Sequence, residues 1–255
     1  MTPLPPMLEQ VLAGRSLLRN DNGQSGGEVF RVGDDAYLKY GVGRVAQDII
    51  DEHARLRWLA NRVVVPTVLH FETRADAAWL LTSAMPGRTA EAVLDAEPDT
   101  RVATVRALAH LLRRWHALLP GDCPFDAGAE VRLHAARLNV ETGTVDEADF
   151  DDEHFGWTAE RVLRKVEESL PLPFGRVVTH GDFSTGNVFI ADGVATGCVD
   201  VGRAGVADPY QDLAILWNNL GDYGPELQDD LLRAYGVAEP DMARLRFHLA
   251  LDELF

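Results

Sequence analysis

The chain is short of several things at once. Two cysteines, Cys123 and Cys198, occur in 255 residues. That is too few for a disulfide framework, and they read as two reduced thiols of a cytoplasmic protein. Basic charge is in deficit, with 24 Lys and Arg against 40 Asp and Glu, a net charge of −16. A surface of that sign repels nucleic acid and anionic membranes and attracts cations, so neither nucleic acid nor membrane is expected as a partner. No apolar run approaches the ~20 residues of a membrane-crossing helix. The opening "MTPLPPMLEQ" has no basic segment followed by an apolar one, so no secretory leader is expected. Internal repeats and low-complexity tracts are absent too.

What is present suits a globular protein. Hydrophobic residues make up 46% and charged residues 25%, both ordinary values. The length allows one large domain or two modest ones with a real core. Residues 1–85 read as short strands plus one helix. "GEVFRVG" and "DAYLKYG" are strand-like runs around a turn at Gly33-Asp34-Asp35, and "RVAQDIIDEHARLRWLANR" carries Val45, Ile49, Leu56 and Leu59 at helical spacing. "TVLHFE" and "AWLLTSAM" read as two more strands. "MPGRTA" (85–90) breaks the pattern, and helices dominate after it, beginning with the amphipathic stretch 98–120. The short strand-like runs "RVVTH", "NVFIAD" and "ATGCVDVG" interrupt them. The organisation is a small β-rich lobe, a Pro/Gly hinge and a larger helical lobe, with a cleft between them as the ligand site.

Two stretches carry chemistry. "HGDFSTGN" sets His180, Asp182 and Asn187 at the spacing of the protein-kinase catalytic loop, and "DVG" brings Asp200 and Gly202 after a strand, an Asp-Gly turn and a strand. Phosphoryl transfer needs a carboxylate at the acceptor hydroxyl, hard oxygen ligands for Mg²⁺ and a lysine on the phosphates. Taken singly, Asp182 reads equally as a turn residue after Gly181, Asn187 as a cap and Asp200 as an acid closing a strand. Residue type, order and interval together favour chemistry over three separate turns. Lys39 ends "AYLK" where the phosphate lysine stands in the kinase pattern, and Glu52 on the following helix is its expected partner. An exposed strand-end lysine and a solvated helix acid are the plain alternatives. "GQSGGEVF" is Gly-rich and offers backbone N–H groups to phosphates, or is an ordinary turn.

"VVTHGDFSTGNVFI", "CVDVGRAGVADPYQDLA" and the terminal "LALDELF" together resemble the aminoglycoside 3′-phosphotransferases, the kanamycin kinases. The resemblance runs from "GQSGGEVFRV" to the last residue. It implies an α+β, bilobal protein-kinase-like fold, with a nucleotide-binding lobe over 1–85 and a catalytic and aminoglycoside-binding lobe over 86–255. It implies ATP and Mg²⁺ as cofactors and an aminoglycoside antibiotic as substrate, phosphorylated on its 3′-hydroxyl with resistance as the result. A related small-molecule kinase acting on another hydroxyl is the alternative.

By that resemblance Asp182 serves or orients the acceptor hydroxyl, and Asn187 and Asp200 hold the metal. Lys39 contacts phosphate oxygens, Glu52 holds it, and Ser25 lies near the phosphates. Tyr37 stacks on adenine, and Ser83 and Met85 bind its edge through their backbone; both Tyr37 and Met85 also read as core residues. Arg203 lies near the active site, or forms a structural ion pair with Asp208. The substrate is a polycation of amino sugars, which gives the acidic block "VDEADFDDEH" a partner. Asp149, Asp151 and Asp152 fall in the loop over the drug, Asp222 follows the "PYQDLAILWNNLG" helix, and Asp252, Glu253 and the carboxylate of Phe255 add negative charge. Each of these also reads as a solvated surface acid, Asp152 most of all.

Overall fold

Alternating apolar residues in "EVFRV" and "AYLKYGV" make two antiparallel strands, β2 (Glu28–Val32) and β3 (Ala36–Val42). In the computed structural model, which describes residues 4–20 and 27–255, they sit inside a five-stranded antiparallel sheet. Its other strands are β1 (Leu17–Asn20), β4 (Val68–Arg74) and β5 (Ala77–Ser83), in the order β1-β2-β3-β5-β4. The run "AAWLL" in β5 is buried on both faces. Trp79 and Leu81 pack with Leu8 and Leu12 of α1 (Pro6–Leu12). Ala78 and Leu80 join Ile49 and Leu56 of α2 (Arg44–Leu59) on the opposite face. That double burial is why β5 is a continuous apolar run rather than an alternating one.

Helix α1 is an addition to the single helix expected before residue 85. Pro6 at its first turn has the fixed φ a helix start wants, but seven residues with two buried leucines carry too little periodicity to read as a helix.

Beyond residue 85, the described helices are α3 (Ala90–Ala96), α4 (Arg101–His116), α5 (Ala129–Thr142), α6 (Ala159–Glu168), α7 (Tyr210–Gly221), α8 (Pro225–Tyr235) and α9 (Met242–Asp252). Three short strands, β6 (Arg88–Thr89), β8 (Val188–Ala191) and β9 (Val194–Cys198), form a second, smaller sheet in the order β6-β8-β9. β7 (Val177–Thr179) pairs with β10 (Gly205–Ala207). The short elements α3, β1, β6 and β10 were not foreseen, because two to seven residues hold no period. The largest core cluster runs without a break from Ile49 and Leu56 of α2 through Leu108 and Leu112 of α4 to Leu213 and Leu216 of α7. Among the described residues no helix is long and apolar enough to cross a membrane.

Candidate active site

His180 follows β7 and is fully buried, and a fully buried carboxylate holds it there. Asp212, in the first turn of α7, accepts from the backbone N–H groups of His180 and Gly181, each at 2.8 Å. It also accepts from His116 Nε2 at 3.0 Å, and Nδ1 of that ring faces the Tyr235 hydroxyl at 2.7 Å. These donors overcome the cost of burial and hold the Asp212 carboxyl below the usual carboxylate range. His180 Nδ1 accepts from Asp182 N–H at 3.3 Å, so its Nε2 carries the proton and donates to Val199 O at 2.9 Å. One imidazole thus ties the segment entering Asp182 to the segment entering Asp200.

The hairpin β8–β9 brings the two motifs together. Its turn residues Asp192 and Gly193 have φ of 51° and 73°, the mirror-image turn that matches strand twist. Val199 N–H then donates to Asn187 O at 2.9 Å. Asn187 Nδ2 donates to the backbone O of Asp182 at 3.1 Å and to its carboxylate at 3.0 Å. Asn187 Oδ1 has no hydrogen bond among the described residues and remains as an acceptor. Asp200 sits in the left-handed region at φ 57°. This sparsely populated conformation for a non-glycine residue accompanies a carboxylate paired with the Lys39 ammonium.

Lys39 reaches Asp200 from β3, across 161 residues of chain. On its way it donates to both oxygens of Glu52 on α2, at 2.7 and 2.9 Å. Burial alone would lower the Lys39 pKa, but the Glu52 and Asp200 carboxylates outweigh it and raise the ammonium above its ordinary range. Burial alone would raise Asp200, and Lys39 holds it below the usual range. Asp182 behaves oppositely: burial pushes its carboxyl up, and Arg203 and His180 offset this only in part. Two neighbouring carboxylates are thus driven apart by their surroundings.

The other expected positions fall into three groups. Ser25 lies outside the described residues. Tyr37 is half-buried on β3 opposite Thr82, Ser83 Oγ accepts from Thr67 N–H at 3.0 Å, and buried Met85 leaves its own N–H without a hydrogen bond among the described residues. At the C-terminal end, Asp252 accepts from Arg132 at 2.9 Å and lies 3.8 Å from Arg203. The Phe255 ring sits 4.8 Å from the Arg132 guanidinium and 5.3 Å from that of Arg203. Glu253 meets Asp151 N–H at 3.1 Å. Asp149 and Asp152 are exposed, and exposed Asp222 follows α7 with no hydrogen bond accepted by its carboxylate among the described residues. The alternative pairing of Arg203 with Asp208 is not found: Arg203 faces Asp252, and Asp208 is taken by Arg244. Asp208 points away because it also caps Tyr210 N–H at the start of α7.

Three residues of the site were not foreseen. Asp212 had a signal, a single acid in the apolar run "LAILW" and its approach, at a phase the helix buries. Arg132 and Asn139 had none, since their partners Asp252 and the Leu254 carbonyl are 120 and 115 residues away.

Comparison with known proteins bears on this arrangement. The model of the phosphotransferase enzyme family matches residues 17–248. The chain belongs to the phosphotransferase enzyme family. As a phosphotransferase it is 46% identical over 253 residues to an aminoglycoside 3′-phosphotransferase of Escherichia coli, covering 97% of this chain and 93% of that one. Its fold superposes on an aminoglycoside 3′-phosphotransferase of type VIII with a TM-score of 0.85 at 34% identity, over 95% and 94% of the two chains. A Streptomyces rimosus aminoglycoside phosphotransferase, solved with ADP and streptomycin, superposes with a TM-score of 0.81 at 28% identity, over 100% and 99%. The β-sheet and helical parts of this phosphotransferase thus have the kinase-like arrangement of those structures.

Proposed function

We propose that this enzyme transfers the γ-phosphoryl group of ATP to the 3′-hydroxyl of an aminoglycoside in the cytoplasm and so confers resistance to the drug. The observation that carries this reading is the convergence of Lys39, Glu52, Asp182, Asn187 and Asp200 on one point, from parts of the chain 161 residues apart. We divide the lobes at Met85, with 1–85 for the nucleotide and 86–255 for chemistry and the drug.

In this reading the hydroxyl oxygen forms a bond to the γ-phosphorus as the bond to the β–γ bridging oxygen breaks. ADP leaves, and the hydroxyl proton passes to Asp182. Asp182 is suited to the role, since burial raises its proton affinity and its carboxylate is held in place by Asn187. A loose transition state asks more for that geometry than for strong basicity. Lys39, kept charged by Glu52, moves from Asp200 to the α/β-phosphates when nucleotide enters. Asn187 Oδ1 and the Asp200 carboxylate are hard oxygen donors and fit Mg²⁺, which when bound neutralises phosphate charge. The unbonded Met85 N–H and the backbone of Ser83 take the adenine edge, with Tyr37 on its face and Ser25 near the phosphates. Arg203 balances the charge between Asp182 and Asp252. Asp149, Asp151, Asp152, Asp222, Asp252, Glu253 and Phe255 form the anionic wall for the drug's ammonium groups.

Incubation with γ-labelled ATP, Mg²⁺ and either kanamycin or its 3′-deoxy analogue tobramycin tests this. Label is expected on kanamycin and not on tobramycin. Equal labelling of both places the transfer on another hydroxyl, and labelling of neither overturns the aminoglycoside reading.

A further inference from the structure

Glu253 and Asp151 reach the same spot from 102 residues apart, and both are acids. Two carboxylates at close range repel, so something must hold them together. The buried ring of His154 lies between them, with Nδ1 at 3.1 Å from Glu253 Oε1 and 3.2 Å from Asp151 Oδ1. Its other nitrogen, Nε2, is 2.8 Å from Lys165 Nζ on α6. An ammonium has only donors. Nε2 is therefore the acceptor, and Nδ1 carries the proton and donates to Glu253, while Asp151 Oδ1, close to the same nitrogen, accepts from the backbone N–H groups of Glu153 at 3.0 Å and His154 at 3.2 Å. Lys165 is itself held by Glu153 at 2.6 Å, and it faces the Trp157 ring at 5.4 Å. The result is a relay of fixed polarity from Lys165 through His154 to Glu253, which also accepts from Asp151 N–H.

The three donor atoms of Asp151, His154 and Glu253 lie within 4.8 Å of one another, a spacing that would also suit a metal ion. Lys165 argues against one. A metal on Nδ1 would put the ring proton on Nε2, pointing at an ammonium. Lysine is scarce in this chain: Lys39 and Lys165 are its two lysines, and every other basic residue besides histidine is an arginine. A lysine offers a compact point charge to a single acceptor, without the fork of a guanidinium.

We propose that His154 and Lys165 are positioning residues, which clamp Glu253 and Asp151 into one carboxylate pair shaped to receive an ammonium group of the substrate. The inference rests on the reading of Glu253 and Asp151 as drug contacts given above. Burial, and then the adjoining Asp151, push the Glu253 carboxyl up to about 8, as expected for like charges held together. An incoming ammonium relieves that repulsion, so the clamp favours a cationic ligand over a neutral one.

The test uses full-length H154N, H154Q, K165M and E253Q enzymes with kanamycin and ATP. An asparagine amide stands where Nδ1–H stood and keeps the donor to Glu253; a glutamine amide reaches the Nε2 position and loses it. H154Q is expected to raise the kanamycin KM roughly tenfold, the loss of one hydrogen bond to a charged group. Its ATP KM and kcat should hold, and H154N should stay within about twofold of the parent. K165M, which frees the tautomer, is expected to raise the kanamycin KM by about half that factor. Equal losses in H154N and H154Q would mean that only packing matters, and overturn the inference. So would a parental kanamycin KM in H154Q while E253Q loses affinity. A parental KM in E253Q overturns the substrate reading of Glu253 itself, and the inference falls with it. Should H154Q fail to fold, K165M decides: a parental kanamycin KM there overturns the clamp.

Discussion

At Gly181 the backbone has φ of +90°, and a Cβ there would lie 2.3 Å from the carbonyl oxygen of Arg203 and 2.7 Å from its Cβ. Only glycine permits this approach, which presses the Asp182 segment against the one that follows Asp200. A G181A enzyme should therefore lose stability and turnover together. Left-handed backbone costs a side-chain-bearing residue ~1–2 kcal/mol, and the clash with Arg203 adds to it. Asp182, one residue on, should behave differently. Its carboxyl is raised by burial, so its charged form opposes folding at neutral pH. D182N is expected to melt at or above the parental temperature while kcat falls by ~10²–10⁴. A melting temperature well below that of the parent would show that the Asp182 charge is a structural support.

Two elements do most of the positioning. Helix α7 begins with Asp212, and that carboxylate holds the backbone of His180 and Gly181 from below. In D212N one of the N–H groups would face another N–H. A hydrogen bond to a charged group contributes ~1.5–3 kcal/mol, and its loss should lower the melting temperature by roughly 5–10 °C. Thermal melts with parallel kcat measurements check this; unchanged values in both would remove Asp212 from the account. Helix α2 makes the other ties. Arg44 donates to Asn139 Oδ1 at 2.8 Å, and Asn139 Nδ2 donates to Leu254 O at 2.8 Å. Arg55 donates to Ala204 O at 2.7 Å. The helix that carries Glu52 is thereby fastened both to the segment after Asp200 and to the C-terminal end that carries Asp252 and Glu253.

At the scale of the molecule, one buried cluster joins the start of β7, α7 and α9. Asp208 accepts from Gly175 N–H, Tyr210 N–H and Arg244, and lies 3.4 Å from buried His248. Burial works against the Asp208 charge, yet His248 and Arg244 hold its carboxyl below the ordinary range. Burial also lowers the His248 pKa. Both shifts have the same sign in linkage. His248 stays neutral in the fold while the unfolded chain takes up a proton below ~6.5, so stability begins to fall there as pH drops. Asp208 contributes fully above ~3.9, the unfolded value, and its share is lost as pH falls through the lower folded value. The stability that this cluster contributes should therefore be flat from pH 8 to about 7 and decline in two stages toward acid, against an opposite trend from the raised Asp182 and Glu253 carboxyls. In melts of H248F set against the parent, the first stage should vanish and the second shrink without disappearing, since Arg244 still holds Asp208; an unaltered first stage in that variant would clear His248 of the effect.

Much of this protein is already determined by its sequence. The spacing of Asp182, Asn187 and Asp200 is a local property, because a hairpin of fixed length with an Asp-Gly turn places both motifs at one end. The long helices follow from their period, and the deficit of basic charge follows from composition. Only the tertiary structure decided which distant groups meet. Lys39 and Asp200, Arg132 and Asp252, and His154 and Glu253 are each separated by about a hundred residues or more, and no local pattern encodes those distances. It also decided which acids of the 145–154 block leave water. Asp151 is drawn in by an N–H that Glu253 needs, while Asp149 and Asp152 stay in water. Composition sets the charge; packing chooses which carboxylates are desolvated.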